Sequence, residues 1–430
     1  MRRLLTVVAA GILAVAATAA LAQGEFTLKY VDAPEGDPLI SRGMTYWGGT
    51  PVNAADFKCA LMVRTGPGGK PAIQEFGPQS LPKGLSANAY SFMLYTGGWQ
   101  TWAVLDMASP PKLYVDTAGT GNLSAAEPLP GSGPPEEPGF GPVAVPAAGP
   151  DGDMTTVRVR LRARDGGRLL GASVAGYMAG TVNLGGQTCR AALVDHGLTG
   201  RYDAVADVSN PGRSEYAATA LAIDLDGDGL FDSSFGSAEC TPLLPGLRAK
   251  EAYYSVKVKP DGSSIRLEKI EPKFGTLDIG CPNAAVILLS DLGVLRLSGT
   301  EGKWQAPACR YRAVDIQVTR TDAAGAAWKL GDTGALGSLG RFEVRAGETL
   351  ALKAGPPLEG KVEVKVVRYG DDVDGPEAHK SALIGFVLVG RAGEQYAPGI
   401  LKGNSRLPPP KLRILDEAGK VLTAAQFEYG

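Results

Sequence analysis

The chain has 430 residues, with 43 Lys and Arg against 45 Asp and Glu and a formal net charge of −2. So even a balance sets up no field for nucleic acid or anionic lipid. With 58 Gly, 31 Pro and only 20% charged residues, the composition suits short strands and turns better than long helices.

The first residues read as a secretory signal. Arg2 and Arg3 form a short basic start, Leu4 to Ala19 is apolar, and Ala20-Leu-Ala22 is a small-x-small cleavage site. A signal peptide is therefore expected over residues 1–22, with the mature chain starting near Gln23 and exported to the periplasm, cell surface or medium. No later stretch is apolar for long enough to span a bilayer. The mature length implies two to three domains. Cys59, Cys189, Cys240, Cys281 and Cys309 form no C-x-x-C pair, so no zinc site is indicated, and an odd count leaves at least one thiol outside any intrachain disulfide.

Residues 23–130 are expected to form an N-terminal β domain. It carries two glycine-flanked aromatic clusters, Tyr46-Trp-Gly-Gly49 and Gly97-Gly-Trp-Gln-Thr-Trp102. Residues 131–149, which include Gly133-Pro-Pro-Glu-Glu-Pro-Gly139, read as an extended Pro/Gly-rich linker. A second β domain is expected over 150–280. In it Thr156–Ala163 alternates strictly, with Val157, Val159, Leu161 and Ala163 inward and Arg158, Arg160 and Arg162 outward. The arginine row reads as a solvated sheet face rather than a polyanion site. Further strands are expected at Tyr253–Lys259, Ile265–Ile270, Arg312–Thr319, Phe342–Arg345, Val362–Arg368, Leu383–Val389 and Leu412–Leu415, the later ones in a third β domain over 282–430. The expected fold class is all-β: two to three β-sandwich or small-barrel domains joined by the Pro/Gly-rich linker.

The one chemically pointed segment is Asp224-Leu-Asp-Gly-Asp-Gly-Leu-Phe-Asp232. Asp224, Asp226 and Asp228 stand at positions 1, 3 and 5, Gly229 at 6 and Asp232 at 9; Leu230 at 7 offers a backbone carbonyl. Calcium wants six to eight oxygens, and such a loop can wrap it because glycine takes the sharp turn. Position 12 is Phe235, where an EF-hand has a bidentate Glu, and no helices flank the loop. This is a calcium-type loop between strands. Glu239 can complete the shell if the chain folds back.

Two segments repeat the frame. Asp195, Gly200 and Asp203 take positions 1, 6 and 9 of one; Asp116, Gly121 and Glu127 take 1, 6 and 12 of the other. Both lack acids at 3 and 5, so they are expected to hold their shape through backbone and Thr hydrogen bonds rather than a metal.

On these motifs the chain resembles exported, largely uncharacterised β-rich proteins of environmental bacteria such as planctomycetes. The residues that carry the resemblance are Ala192-Leu-Val-Asp195 with Gly200-Arg-Tyr-Asp203, then Ile223–Asp232, the strand pair around Asp261-Gly262, and Leu113–Leu123. Ala306-Pro-Ala-Cys-Arg-Tyr311 and Leu412–Lys420 resemble the Ig-like or prealbumin-like C-terminal domain of those proteins. The resemblance implies no activity. It places Cys309 where Gly is usual, which suggests a Cys281–Cys309 bridge.

Enzyme signatures are sparse. The only histidines are His196 and His379, and there is no G-x-S-x-G elbow, P-loop or dinucleotide fingerprint. The expected function is a non-enzymatic structural or interaction protein of the cell envelope, its partner a glycan or protein. A carbohydrate- or protein-binding module using Trp47, Trp99 and Trp102 is the alternative. A carboxylate-dependent glycoside hydrolase is the second, because a pair of acids leaves no linear signature.

Overall fold

The computed structural model describes residues 24–41, 45–48, 50–52, 60–65, 71–76, 78, 80–148, 154–209, 218–233, 237–369, 379–396, 400–403 and 405–427. The expected signal peptide and Cys59 lie outside them. The fold is all-β, 56% strand and 3% helical. The described residues divide into two compact units: those within 1–207, 212–245 and 254–269 form one, and those within 208–211, 246–253 and 270–430 the other.

In the first unit the labelled strands are β1 (Gly24–Asp32), β2 (Ala89–Thr96), β3 (Trp99–Asp106), β4 (Lys112–Val115), β5 (Gly139–Ala148), β6 (Met154–Arg164), β7 (Leu169–Val174), β8 (Gly176–Leu184), β9 (Gln187–Val194), β10 (Ala220–Ile223), β11 (Cys240–Pro242), β12 (Ala252–Val258) and β13 (Ser264–Ile270). One sheet runs β11-β10-β9-β8-β1-β13-β12; a second runs β5-β6-β7 and ends on Thr45–Gly48; a third has β2-β3-β4 at its centre. One core joins them: Phe92, Leu105, Val145, Leu161 and Val194 belong to a single buried cluster.

The alternation in β6 folds as read. Val157, Val159, Leu161 and Ala163 are buried. The arginine row has a definite task. Arg158 pairs with Asp32 at 2.8 Å and Arg162 with Glu35 at 2.7 Å, and Arg160 donates to the carbonyl of Ala33. The row pins the chain just after β1.

The expected linker over 131–149 differs from the structure. Residues 139–148 are β5, paired with β6 from Gly139 to Ala148 across a bulge between Phe140 and Val143. Phe140, Val145 and Ala147 lie in the core. The expected 23–130 and 150–280 domains therefore share one compact unit. The prolines that suggested a linker are tolerated because β5 is the edge strand of its sheet, where a missing N–H breaks no ladder.

In the second unit the labelled strands are β14 (Phe274–Asp278), β15 (Ala284–Ser290), β16 (Gly293–Gly299), β17 (Lys303–Pro307), β18 (Arg310–Thr321), β19 (Ala327–Leu336), β20 (Glu359–Tyr369), β21 (His379–Val389), β22 (Glu394–Tyr396), β23 (Lys411–Leu415) and β24 (Val421–Gln426). The main sheet runs β16-β15-β18-β19-β22-β21-β20. Leu277, Leu288, Tyr311, Ile316 and Tyr396 share its core. Cys281 and Cys309 are free thiols, both raised above the ordinary cysteine range by burial. The bridge suggested by the resemblance is thus not formed here.

Candidate metal centre

The Asp224 loop leaves the end of β10, and residues 237–239 lead back into β11. Because β10 and β11 pair antiparallel, the N–H of Ile223 donates to the Glu239 carbonyl at 2.7 Å. The chain therefore does fold back, and Glu239 reaches the loop. Its Oε1 accepts the N–H of Leu225 at 2.9 Å and of Asp226 at 3.2 Å, and its Oε2 that of Asp232 at 2.9 Å.

Asp224 is only 4% exposed and Glu239 9%. Asp224 accepts the N–H of Gly227 at 2.7 Å on one oxygen and of Gly229 at 3.0 Å on the other. Gly227 and Gly229 have φ of 82° and 85°, a region open to glycine at no steric cost. Ligand oxygens of Asp224, Asp226 and Glu239 lie within 4.8 Å of one another. Asp228 and Asp232 stand outside this group. Asp228 accepts the N–H of Leu230 at 2.7 Å and is exposed, as are Leu230 and Asp232. The structure thus gathers Asp224 and Asp226 from the expected set and adds Glu239.

The donor set fits a hard cation. It is all carboxylate; both Asp224 oxygens and Glu239 Oε2 accept one N–H each and keep a second lone-pair site, whereas Glu239 Oε1 already accepts two. Among the described residues no ion pair engages Asp224, Asp226, Asp228 or Glu239. The nearby cation is used elsewhere: Arg190 Nη1 donates to the Gly229 carbonyl, and its guanidinium lies over the Phe231 ring at 5.1 Å.

The two degenerate turns share this backbone. Position 1 takes the N–H of position 6 in all three loops: Gly121 to Asp116, Gly200 to Asp195 at 2.7 Å, and Gly229 to Asp224. The side-chain oxygen at position 5 accepts the N–H of position 7 in all three: Thr120 from Asn122 at 3.2 Å, Thr199 from Arg201 at 3.1 Å, and Asp228 from Leu230. Position 4 has positive φ each time, at Gly119, Leu198 and Gly227. A Thr hydroxyl thus stands in place of the position-5 carboxylate, and backbone and Thr hydrogen bonds hold both turns. Leu198 hides the recurrence at position 4, since a branched residue there gives no turn signal.

Asp195 is nearly buried, and burial pushes its carboxyl up to about 6, against the opposing hydrogen bonds from Thr199 and Gly200. Tyr202 is raised by burial first and by Asp195 second. Asp203 is held below the carboxylate range by Arg201, which bonds it at 2.8 and 2.9 Å.

Trp99 and Trp102 are both half-buried. Being three apart in β3, they face opposite sides of the sheet, so they form no joint platform. The side chain of Trp47 is outside the described residues, as is that of His379. Comparison with protein-family models, with curated proteins and with solved structures returns no match.

Proposed function

We propose that this is an exported, non-enzymatic structural or interaction protein in which one calcium ion ties the Asp224 loop to the chain returning into β11. The observation that carries the reading is Glu239: its carboxylate stands beside Asp224 and Asp226 although it lies fifteen positions beyond Asp224 in sequence. Three carboxylates so close repel one another, backbone N–H groups offset part of that repulsion, and a bound cation would offset the rest. Asp224, Asp226 and Glu239 would hold the ion, with water in the remaining positions. Calcium supplies charge neutralisation and a fixed loop here, and no chemistry is asked of it.

Calorimetric titration of calcium into chelator-treated protein tests this. Binding is expected with Kd on the order of 10⁻⁴ to 10⁻³ M, the range of extracellular modules, and Asp226→Asn should remove it without unfolding the chain. No heat at millimolar calcium, in protein shown to be folded, would sink the proposal.

Glycan binding is a second reading, supported by one observation. An open cavity of about 490 Å³ is lined by Tyr95, Gly97, Gly98, Gly197, Thr199 and Arg201. The exposed Tyr95 ring offers a flat face there, of the kind a sugar ring stacks on. A glycan array probed with the wild type and with Tyr95→Ala distinguishes the two readings.

A further inference from the structure

Among the described strands β20 is the last of its sheet, paired through eleven residues with β21 alone. Residues 359–365 are all exposed, including Val362 at 56% and Val364 at 62%. Such an edge presents a row of unpaired backbone groups, a template for another strand. Charged residues usually guard these edges, so the order of their signs decides whether pairing is blocked or made selective.

The sequence of the edge is Glu359-Gly-Lys-Val-Glu-Val-Lys365. Glu359, Lys361, Glu363 and Lys365 share one face, and Gly360, Val362 and Val364 the other. Opposite the four charges on β21 stand Val389, Val387, Gly385 and Leu383, none of them charged. Among the described residues the one ion pair on this stretch, Lys361 with Glu359, is long at 3.8 Å. The charges of β20 are therefore not matched across its own sheet.

We propose that a second copy of this chain docks here, with β20 pairing antiparallel to β20 of the copy about a two-fold axis through Val362. In that register Lys361 faces Glu363 of the copy and Glu359 faces Lys365. The axis repeats each pair, so all four charges on both strands meet an opposite charge. On the other face Val362 meets its own equivalent, and Val364 meets Gly360. Centring the pair one residue either way fails: about Lys361 it sets Glu359 against Glu363, and about Glu363 it sets Lys361 against Lys365, like charges directly opposed. Centring on Val364 keeps only the Glu363–Lys365 pairs. The contact is isologous and closes as a dimer, which is what a two-fold interface requires. Backbone bonds supply the attraction and the charge order supplies the register.

Sedimentation velocity on the full mature chain tests the proposal, with circular dichroism to show that each variant is folded. The wild type is expected to dimerise reversibly, more weakly at high salt. Lys361→Glu alone, or Glu363→Lys alone, sets like charges opposite each other twice and should weaken the dimer by about tenfold or more. The double variant Lys361→Glu with Glu363→Lys exchanges the signs and should restore it. A wild type that stays monomeric at the highest concentrations studied overturns the proposal. So does a dimer indifferent to either single reversal, which would use another surface, and so does a folded double variant that fails to recover.

Discussion

The Glu239 carboxylate accepts the backbone N–H of Asp232 at 2.9 Å, and its other oxygen accepts those of Leu225 and Asp226. One side chain thus closes the loop at both ends. Among the three related loops this is what sets the Asp224 loop apart. Its frame is common to all, while the acid at position 3 and the returning Glu belong to it alone.

Glu239 should therefore have separable roles. Glu239→Gln keeps one acceptor oxygen and loses the charge; it is expected to weaken calcium binding by about tenfold or more while leaving the fold intact. Glu239→Ala also strands three loop N–H groups and should cost about 2–3 kcal/mol without calcium. For the wild type, calcium at ten times Kd should add about 1.4 kcal/mol to stability. Calorimetry and chemical denaturation with and without calcium check the set. Equal calcium affinity in the wild type and Glu239→Gln would remove Glu239 from the ligands.

Much of this was legible in the chain. The Val157–Ala163 alternation could be read because its two faces meet different surroundings, core on one side and water on the other. The frame of the Asp224 loop could be read because glycine and carboxylate spacing is local. β5 could not: Pro142 and Pro146 look like linker residues, and only its place at a sheet edge makes them compatible with a strand. The membership of Glu239 was open for a similar reason. The register of β10 with β11 is a tertiary fact, and it decides which acid beyond position 12 returns to the loop.

Asp195 should make stability depend on pH. Its carboxyl is raised from 3.8 to about 6, so the folded chain holds the proton more tightly than the unfolded chain. The contribution is complete below about pH 4 and is lost as pH rises through about 6, amounting to about 3 kcal/mol. Asp195→Asn cannot ionise. Denaturation of both proteins from pH 4 to 7 should show the wild type losing ground against the variant across that window. Parallel curves would show that Asp195 titrates as an ordinary carboxyl.

Glu394 is fully buried in the second unit. It accepts the N–H groups of Gly355 and Ala392 and the hydroxyl of Tyr396, the last two at 2.9 Å. Glu394→Ala removes the acceptor for two buried donors and one part-buried donor and leaves a cavity. The expected loss is more than about 3 kcal/mol, with Glu394→Gln intermediate because one oxygen remains. Urea denaturation measures both, and an alanine variant within about 1 kcal/mol of the wild type, a margin typical of surface changes, would contradict the assignment.

Gly97 and Gly98 form the turn between β2 and β3, and both have positive φ, 56° and 85°. Their surroundings differ. A Cβ on Gly97 would stand 2.6 Å from the Thr199 carbonyl oxygen in the Asp195 loop, whereas one on Gly98 would meet nothing within 4 Å. Gly98→Ala should then cost only the left-handed backbone, about 1–2 kcal/mol. Gly97→Ala carries the same backbone cost and must also push back a backbone atom of a packed loop, so it should lose at least about 1 kcal/mol more. The extra loss has a location. Amide exchange should quicken at Thr199 and Gly200 in Gly97→Ala and stay unchanged there in Gly98→Ala. Equal losses in the two variants, with no change at Thr199, would mean that the hairpin and the Asp195 loop are not in contact in solution.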